Sequence, residues 1–413
     1  MTTGTRRWIL GVFTAWASLT LAPGANSREI GPETDLCPAI NALPPGDELV
    51  LLPGDYFGPC AIRQGGLPGA PSVIRAKDPS HRPRVIYAGR SANVVEVRTS
   101  HLVIRGLEFG PTERDVDAIR IFGARDIVVE DCDFMGLGGI AVVANHSDVR
   151  GLTVRRNQIR NSEATAMYFG CHDGIGCAVS GLTIEGNYIR RVRAPEPEIG
   201  YGIQIKLNSI GIIRDNVVVD TKGPGIMVYG SRDMLGASVI ERNIVAESLK
   251  SAGIVVGGGP AIVRNNVTIG SIGQGILLQD YAQRGLLRGV VIAHNTAYGN
   301  QSGGIVGENG LRGAVIVNNA VQARPGTPAL PTPQAGLQLG GNVTCGPIFC
   351  FTNAEARDFS PLPGGLLVGA GVRVLGLEFW APIEDLFGAA RGLPANVGAI
   401  ERPAGPISLD PVR

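Results

Sequence analysis

The stretch that decides the fold reads Leu152-Thr-Val-Arg-Arg-Asn-Gln-Ile159, in which alternating apolar residues are followed by an asparagine and a further apolar position. The pattern recurs about every 27 residues, a period typical of repeat architectures. The recurring asparagines are Asn157, Asn187, Asn216, Asn243, Asn266, Asn295 and Asn319. The related stretches 127–134, with Cys132 at that position, and 102–109, with Gly106 one residue before it, extend the pattern backward. The middle of the chain is therefore one repeat array.

A second element lies between these stretches and consists of a small residue followed by alternating apolar positions. It recurs at Ile119, Ile140, Met167, Ile203, Ile226, Ile254, Ile276, Ile305 and Leu337. Two short strands per repeat, separated by Gly and Asn turns, predict an all-β chain, a single right-handed parallel β-helix of about ten coils. Leucine-rich repeats and propeller blades are excluded, because the Leu lattice and the four strands per repeat are both missing.

Composition excludes several classes of function. Lys and Arg total 37 against 36 Asp and Glu, so no net charge attracts nucleic acid. The five His residues lack the spacing of metal ligands. Seven asparagines in one register indicate a structural ladder of stacked amides rather than a catalytic set.

The first residues have the order of an export signal. Arg6 and Arg7 precede an apolar run, residues 8–22, and small residues follow it. We interpret residues 1–27 as a signal peptide and expect a secreted or periplasmic protein. A lone membrane anchor is the alternative, although the run is shorter than the ~20 residues that span a bilayer. No membrane span is expected in the mature chain.

The seven cysteines fit an oxidising compartment. Three close pairs can be drawn, and they join Cys37 to Cys60, Cys171 to Cys177, and Cys345 to Cys350. Cys132 is left over and is expected to be a buried free thiol.

Both ends of the array resemble those of secreted, pectin-lyase-like β-helix proteins. Residues 42–56, which read ALPPGDELVLLPGDY, resemble their first coil, and residues 358–371 and 396–401 resemble their closing segments. We therefore expect a β-helix with its N-terminal cap over residues 28–345 and a C-terminal capping segment over 346–413.

Strand alternation predicts two outward columns along the second element. One contains Gly170, Lys206, Tyr229, Gly257, Gln279 and Gly307, and the other contains Arg120, Ala141, Tyr168, Gln204, Met227 and Val255. Lys206 stands out, because only four of the 37 basic residues are lysines. Lysine can lose its proton when desolvated, whereas arginine cannot. The competing interpretation is an ordinary solvated lysine.

The residues around Lys206 resemble alginate lyases and chondroitinase B, polysaccharide lyases with a lysine base on such a strand. The similar stretches are Tyr201-Gly-Ile-Gln-Ile-Lys206-Leu and Gly225-Ile-Met-Val-Tyr229-Gly-Ser-Arg232. The resemblance implies Lys206 as catalytic base and Tyr229 or Arg232 as the group that donates a proton or binds the uronate. The chain departs from the pattern at Tyr201, where some members have an acidic calcium ligand. Glu196 and Glu198 are nearby, so calcium is the candidate cofactor.

These observations favour a polysaccharide lyase that cleaves a uronic-acid-containing polymer by β-elimination. The alternatives are a uronate C5-epimerase, which shares the first proton abstraction, and a non-catalytic glycan-binding or envelope protein. The predicted substrate-binding residues are Arg120, Tyr168, His172, Gln204, Asn208 and Gln279. The expected partner is an acidic polysaccharide, and the expected oligomeric state is a monomer. The non-catalytic alternative predicts a fully solvated Lys206.

Overall fold

The computed structural model describes residues 26–234, 236–281, 284–308, 311–346, 350–374 and 381–410. Three parallel sheets alternate along the chain, so each coil contributes a strand to each sheet in turn. The predicted parallel β-helix is confirmed. Its sheets hold 14, 10 and 12 strands, slightly more than about ten coils, because the array extends beyond the sequence repeat at its N-terminal end.

The strands of the first sheet are Ser27–Ile30, Glu48–Leu51, Ser72–Ala76, Leu102–Arg105, Arg125–Glu130, Val149–Arg155, Val179–Ser180, Leu182–Glu185, Gly211–Arg214, Ser238–Glu241, Ala261–Arg264, Arg288–Ala293, Arg312–Val317 and Leu337–Gly340. The second sheet contains Cys60–Ile62, Val95–Val97, Ile119–Ile121, Val142–Ala144, Met167–Phe169, Ile203–Ile205, Ile226–Val228, Ile254–Val256, Ile276–Leu278 and Ile305–Gly307. The third contains Asp55–Phe57, Arg84–Tyr87, Glu108–Thr112, Asp133–Leu137, Gln158–Ser162, Tyr188–Val192, Val217–Thr221, Ile244–Ser248, Val267–Ile269, Thr296–Tyr298, Ala320–Gln322 and Val343–Thr344.

The core runs along the inside of these coils, where equivalent inward residues stack from one strand to the next. In the second sheet Met167, Ile203 and Ile226 are paired neighbours, and all three are fully buried. Because inward side chains of similar shape stack on one another, the apolar interior is continuous and closely packed from coil to coil. The apolar residues that alternate in the sequence therefore occupy the inward positions of the coils.

The register corrects two positions of the predicted outward columns. Ile119 pairs with Val142 rather than with Ile140, so Val143 and not Ala141 follows Arg120 in its column. The shift arises because the N–H of Ile140 donates to Oδ1 of Asp117, which keeps Ile140 in the preceding turn. At the other end Gly307 pairs with Leu278 and takes an inward register. Glu308 occupies the outward position beside Gln279.

The asparagines form the predicted ladder at the turn between the first and third sheets. Nδ2 of Asn187 donates to Oδ1 of Asn216 at 2.9 Å, and that oxygen also accepts the backbone N–H of Asn187 at 3.0 Å. The arrangement repeats from Asn157 to Asn342, one coil further than the sequence pattern indicated. Each amide therefore satisfies buried polar groups of its neighbours, and the structural interpretation is confirmed.

The two ends of the chain are packed differently. At the N-terminal end helix Leu36–Asn41 buries Leu36, Ala39 and Ile40 over the first coils. After the last coil, strands Phe351–Asn353 and Asp358–Pro361 form an antiparallel pair. The described part of the tail packs along the outer face of the third sheet, where Phe359 and Leu386 share an apolar cluster with Val219. The tail thus covers a side of the β-helix.

All three predicted disulfides are present, between Cys37 and Cys60, Cys171 and Cys177, and Cys345 and Cys350. Cys132 is a buried free thiol, as predicted. Within the ranges given above, no helix is long and apolar enough to cross a membrane. The predicted signal peptide lies outside the described residues except for its last two, and the first strand begins at Ser27.

Candidate functional site

Lys206 directly follows strand Ile203–Ile205 of the second sheet, in a turn that leads to the first sheet. The N–H of Ser209 donates to the carbonyl of Lys206 at 3.0 Å, and Asn208 between them has a φ of 67°. Asparagine tolerates this left-handed conformation at the third position of a tight turn. Gly170 on the preceding strand leaves the space for Lys206, because a Cβ there would lie 3.1 Å from Cβ of Lys206.

The Lys206 side chain is 5% exposed, yet it lies outside the central core. Its Nζ is 4.2 Å from the ring centroid of Tyr229 and 5.8 Å from that of Tyr168. Within the described part of the chain it makes no hydrogen bond and no ion pair. The solvated lysine of the non-catalytic interpretation is therefore not what the structure contains.

Burial lowers the pKa of the Lys206 amine below its ordinary value, and the nearby positive charge of Arg284 lowers it further. Both effects disfavour the ammonium form. A cation above a tyrosine ring is attracted to the ring face, which offsets part of the desolvation. The environment therefore favours the neutral amine more than water does.

Four of the eight tyrosines of the chain lie at this site: Tyr168 and Tyr229 face Lys206, while Tyr201 and Tyr281 contact Tyr229. Tyr281 meets the ring of Tyr229 edge-on, with 4.8 Å between centroids. Gly257 makes this packing possible, because a Cβ on it would lie 3.3 Å from Cβ of Tyr281. The four rings form the tyrosine cage of Lys206.

The hydroxyls of the cage belong to a short hydrogen-bonded chain. Nε2 of Gln204 donates to Oη of Tyr229 at 3.0 Å, and Oη of Tyr201 lies 3.5 Å from the same oxygen. Since an amide nitrogen can only donate, the proton of Tyr229 points away from Gln204, and Tyr201 lies within reach as its acceptor. Burial raises the pKa of Tyr229 far above its ordinary value, with Tyr201 adding to the rise, so the phenol keeps its proton.

Tyr168 lies at the outer side of the cage and is half-buried. Its Oη is 3.4 Å from Nδ1 of the exposed His172, a residue of the Cys171–Cys177 loop. Burial raises the pKa of Tyr168 to about 12. This side of the cage carries a hydroxyl and an imidazole that reach solvent.

The structure brings together Lys206, Tyr229, Gln204, Tyr168 and His172 among the predicted site residues. Arg232 is exposed on the adjacent turn, where its backbone N–H donates to Oδ1 of Asn208. Nδ2 of Asn208 donates to the carbonyl of Gly174, so this side chain joins the turn of Arg232 to the loop of Gly174.

Two predicted binding residues lie apart from the cage. Arg120 and Gln279 belong to coils three strands away on either side of Lys206, about 14 Å at the strand spacing of ~4.8 Å. Arg120 is also engaged with Asp117 and donates to Oδ1 of Asn145 at 2.8 Å.

Sequence reasoning missed Tyr201, Tyr281 and Arg284. The sequence marked Tyr201 only as a departure from a calcium ligand, yet this residue contributes a hydroxyl to the cage. A signal existed, because half of the tyrosines fall next to strands of the second sheet near Lys206.

The two acidic residues considered for calcium have basic partners. Glu196 pairs with Lys222 and Lys250, and Glu198 lies 3.4 Å from Arg114. No group of three His, Cys, Asp or Glu suited to a metal occurs in the ranges that the structure describes.

Comparison with known proteins agrees with this architecture. The family profile described as "Right handed beta helix region" matches residues 117–283 and 173–344. No curated protein sequence matches the chain.

Several solved structures are similar to the chain at low identity. A complex of XylC with xylose has a TM-score of 0.59 at 9% identity and covers 91% of this chain and 98% of its own. Pectate lyase Pel9A has a TM-score of 0.49 at 14% identity, covering 91% and 96%. An alginate lyase from Paenibacillus sp. str. FPU-7 has a TM-score of 0.41 at 14% identity, covering 76% and 97%. At these identities the similarity concerns the fold.

Proposed function

The chain belongs to the right-handed β-helix family, and from this we propose that it is a carbohydrate-active enzyme, a polysaccharide lyase acting on a uronic-acid-containing polymer. A long parallel sheet offers an extended surface suited to polymers, which is an argument from fold alone. The observation that carries the proposal is the desolvated Lys206 amine beside the protonated Tyr229 hydroxyl.

In the proposed reaction the neutral Nζ of Lys206 removes the proton at C5 of the uronate. The electron pair of that C–H bond forms the C4–C5 double bond, and the bond from C4 to the glycosidic oxygen breaks. The Tyr229 hydroxyl gives its proton to the departing oxygen. Base and acid return to their starting states when the Lys206 ammonium gives a proton to water and the Tyr229 phenolate takes one from water.

The negative charge that develops on the uronate carboxylate needs a cation in the site. Arg284 is suited to this role, because its charge already acts on Lys206 and its side chain is exposed. Arg232, exposed on the neighbouring turn, is the second candidate. Tyr281 is 39% exposed and packs edge-on against Tyr229, so its ring is placed to contact a sugar bound at the cage.

The test is incubation of the mature protein with alginate, chondroitin, hyaluronan, heparosan and pectate. We expect an unsaturated product that absorbs in the ultraviolet on at least one polymer, and its loss in Lys206→Ala. Lys77→Ala is the matched control, because this lysine is exposed and pairs with Glu29 in the first coils of the β-helix.

A second readout separates the lyase from the alternatives. In deuterated water, exchange at C5 without an unsaturated product would indicate an epimerase with the same base. Calcium enters as an additive in parallel assays, with a chelator as its control. Absence of both product and exchange on all five polymers would refute the enzyme and favour a glycan-binding protein.

A further inference from the structure

A cavity of about 370 Å³ lies over the outer face of the first sheet, near its N-terminal end. Its volume falls in the range of clefts that hold small ligands, roughly 300–1,000 Å³. Its lining includes Leu67, Pro71, His101, Val103, Asp126 and Val128, and we refer to it as the His101 cleft. The strand that begins at Arg125 lies three strands before the one that follows Lys206, a separation of about 14 Å. The cleft is therefore distinct from the tyrosine cage.

The floor of the His101 cleft consists of three outward residues on consecutive strands. Val128 pairs with Val103 on one side and with Thr153 on the other. All three belong to regular paired strands, so the floor exists before any ligand binds. A flat apolar floor of this kind suits the C–H face of a sugar ring.

The wall is the loop over residues 65–71, which the backbone holds in place. The N–H groups of Gly66 and Ser72 both donate to the carbonyl of His101 at 3.0 Å. A bridge between Leu67 and Ala70 closes the loop and leaves Leu67 57% exposed. The loop thus presents an apolar side chain to the cleft rather than burying it.

The rim carries the polar groups. Nδ1 of His101 lies 3.2 Å from Oδ2 of Asp126, whose side chain is 66% exposed. Both residues have positive φ angles, 57° and 52°. Gly151 completes the rim, because a Cβ on it would lie 2.5 Å from Oδ1 of Asp126. The Asp126 carboxylate therefore keeps an oxygen available to a ligand.

We propose that the His101 cleft binds an uncharged sugar unit of a polysaccharide, as a binding site independent of the Lys206 chemistry. Sugar hydroxyls donate hydrogen bonds to a carboxylate, and the valine floor covers the apolar ring face. No lysine or arginine is among the lining residues, and Asp126 repels another carboxylate. A uronate is therefore the wrong ligand here, in contrast to the cage.

The experiment measures binding of xylotetraose, cellotetraose, mannotetraose, tetragalacturonate and a chitosan tetramer to the mature protein by calorimetry. We expect at least one neutral tetrasaccharide to bind at the cleft, as binding that Thr153→Arg removes, and tetragalacturonate to bind there at least tenfold more weakly. Thr153→Arg should abolish the binding by filling the floor with a long cation. Asp126→Asn, which keeps the tolerated backbone conformation, should weaken it at least fivefold.

The matched control is Thr183→Arg, because Thr183 is the strand neighbour of Thr153 and lies outside the cleft. Thr183→Arg and Lys206→Ala should leave the binding unchanged, so failure of the lyase proposal would not affect this result. The proposal is overturned if no neutral sugar binds, if both arginine variants weaken binding equally, or if the uronate or the chitosan tetramer shows the strongest binding that Thr153→Arg removes. Thermal unfolding of each variant verifies that it is folded.

Discussion

Nζ of Lys206 lies 4.2 Å from the ring centroid of Tyr229, whose hydroxyl accepts a hydrogen bond from Gln204. The lysine and the tyrosine come from consecutive coils, and the outward register of the second sheet makes them neighbours. This pair joins an amine that is easily deprotonated to a phenol that keeps its proton. The first three predictions follow from it.

Replacement of Lys206 by methionine tests the base without removing the packing of the side chain. We expect lyase activity to vanish, because methionine cannot accept a proton. The free energy of unfolding at neutral pH should stay the same or rise, since a buried charge without an ion-pair partner is removed. Activity assays and chemical denaturation provide the measurements, and retained activity would exclude Lys206 as base.

Activity should rise with pH as the Lys206 amine loses its proton, because only the neutral amine can act as base. The lowered pKa of Lys206 predicts that this rise is centred below the ordinary lysine value. The pKa of Lys206 is lower in the folded than in the unfolded state. The free-energy cost of burying the ammonium therefore decreases as pH rises from the folded-state pKa to the unfolded-state pKa. The dependence of kcat/KM on pH is the measurement, and a rise centred at or above the ordinary value would contradict it.

Substitution of Tyr229 by phenylalanine keeps the ring above Lys206 and its edge-on contact with Tyr281. We expect kcat to fall about 100-fold or more, the size of a general acid contribution. Tyr201→Phe should have a smaller effect, because this hydroxyl is 3.5 Å from that of Tyr229 and can only assist it. Equal losses in both variants would argue for a shared structural role.

Replacement of Asn216 by alanine interrupts the asparagine ladder. The change leaves the backbone N–H and the side-chain Nδ2 of Asn187 without their acceptor. Each unsatisfied buried group costs about 1–3 kcal/mol. We expect a loss of about 3 kcal/mol or more in the free energy of unfolding. Asp215→Asn, at the exposed preceding position, removes an ion pair with Arg242 and should cost less than about 1 kcal/mol.

Glu130 is fully buried and contacts Arg105, Arg155 and Arg156. Burial alone would raise its pKa, but the hydrogen bonds and charges of Arg155 and Arg105 hold it below the ordinary value. Glu130→Gln leaves these partly exposed arginines without their shared anion and should cost about 1.5–3 kcal/mol at neutral pH, the size of a lost hydrogen bond to a charged group.

The pH dependence of this loss provides its own control. The stabilisation by Glu130 is complete above the pKa of the unfolded state and disappears as pH falls through the lower pKa of the folded state. The difference in unfolding free energy between the wild type and Glu130→Gln should therefore shrink in acid. A constant difference from neutral to acidic pH would show that the charge is not its cause.

Much of the fold could be predicted because the strands and turns of each repeat have recognisable local sequence patterns. Alternation marked the inward residues, the asparagines marked the turn, and close spacing identified the three disulfides. Register was less certain, as Ala141 and Val143 show, because a hydrogen bond to Asp117 moves Ile140 into the turn. Such side-chain contacts between coils leave no mark in a linear pattern.

The sequence by itself determined a rod of stacked strands and singled out Lys206, because periodicity and the scarcity of lysine are properties of the chain alone. Only the tertiary structure decided what surrounds that lysine. Tyr168 and Tyr229 face it from the two neighbouring coils, and Tyr281 of a further coil packs on Tyr229, so the burial of the amine depends on which coils become neighbours. The pKa of a side chain reflects its surroundings in space, and those form only when the coils stack.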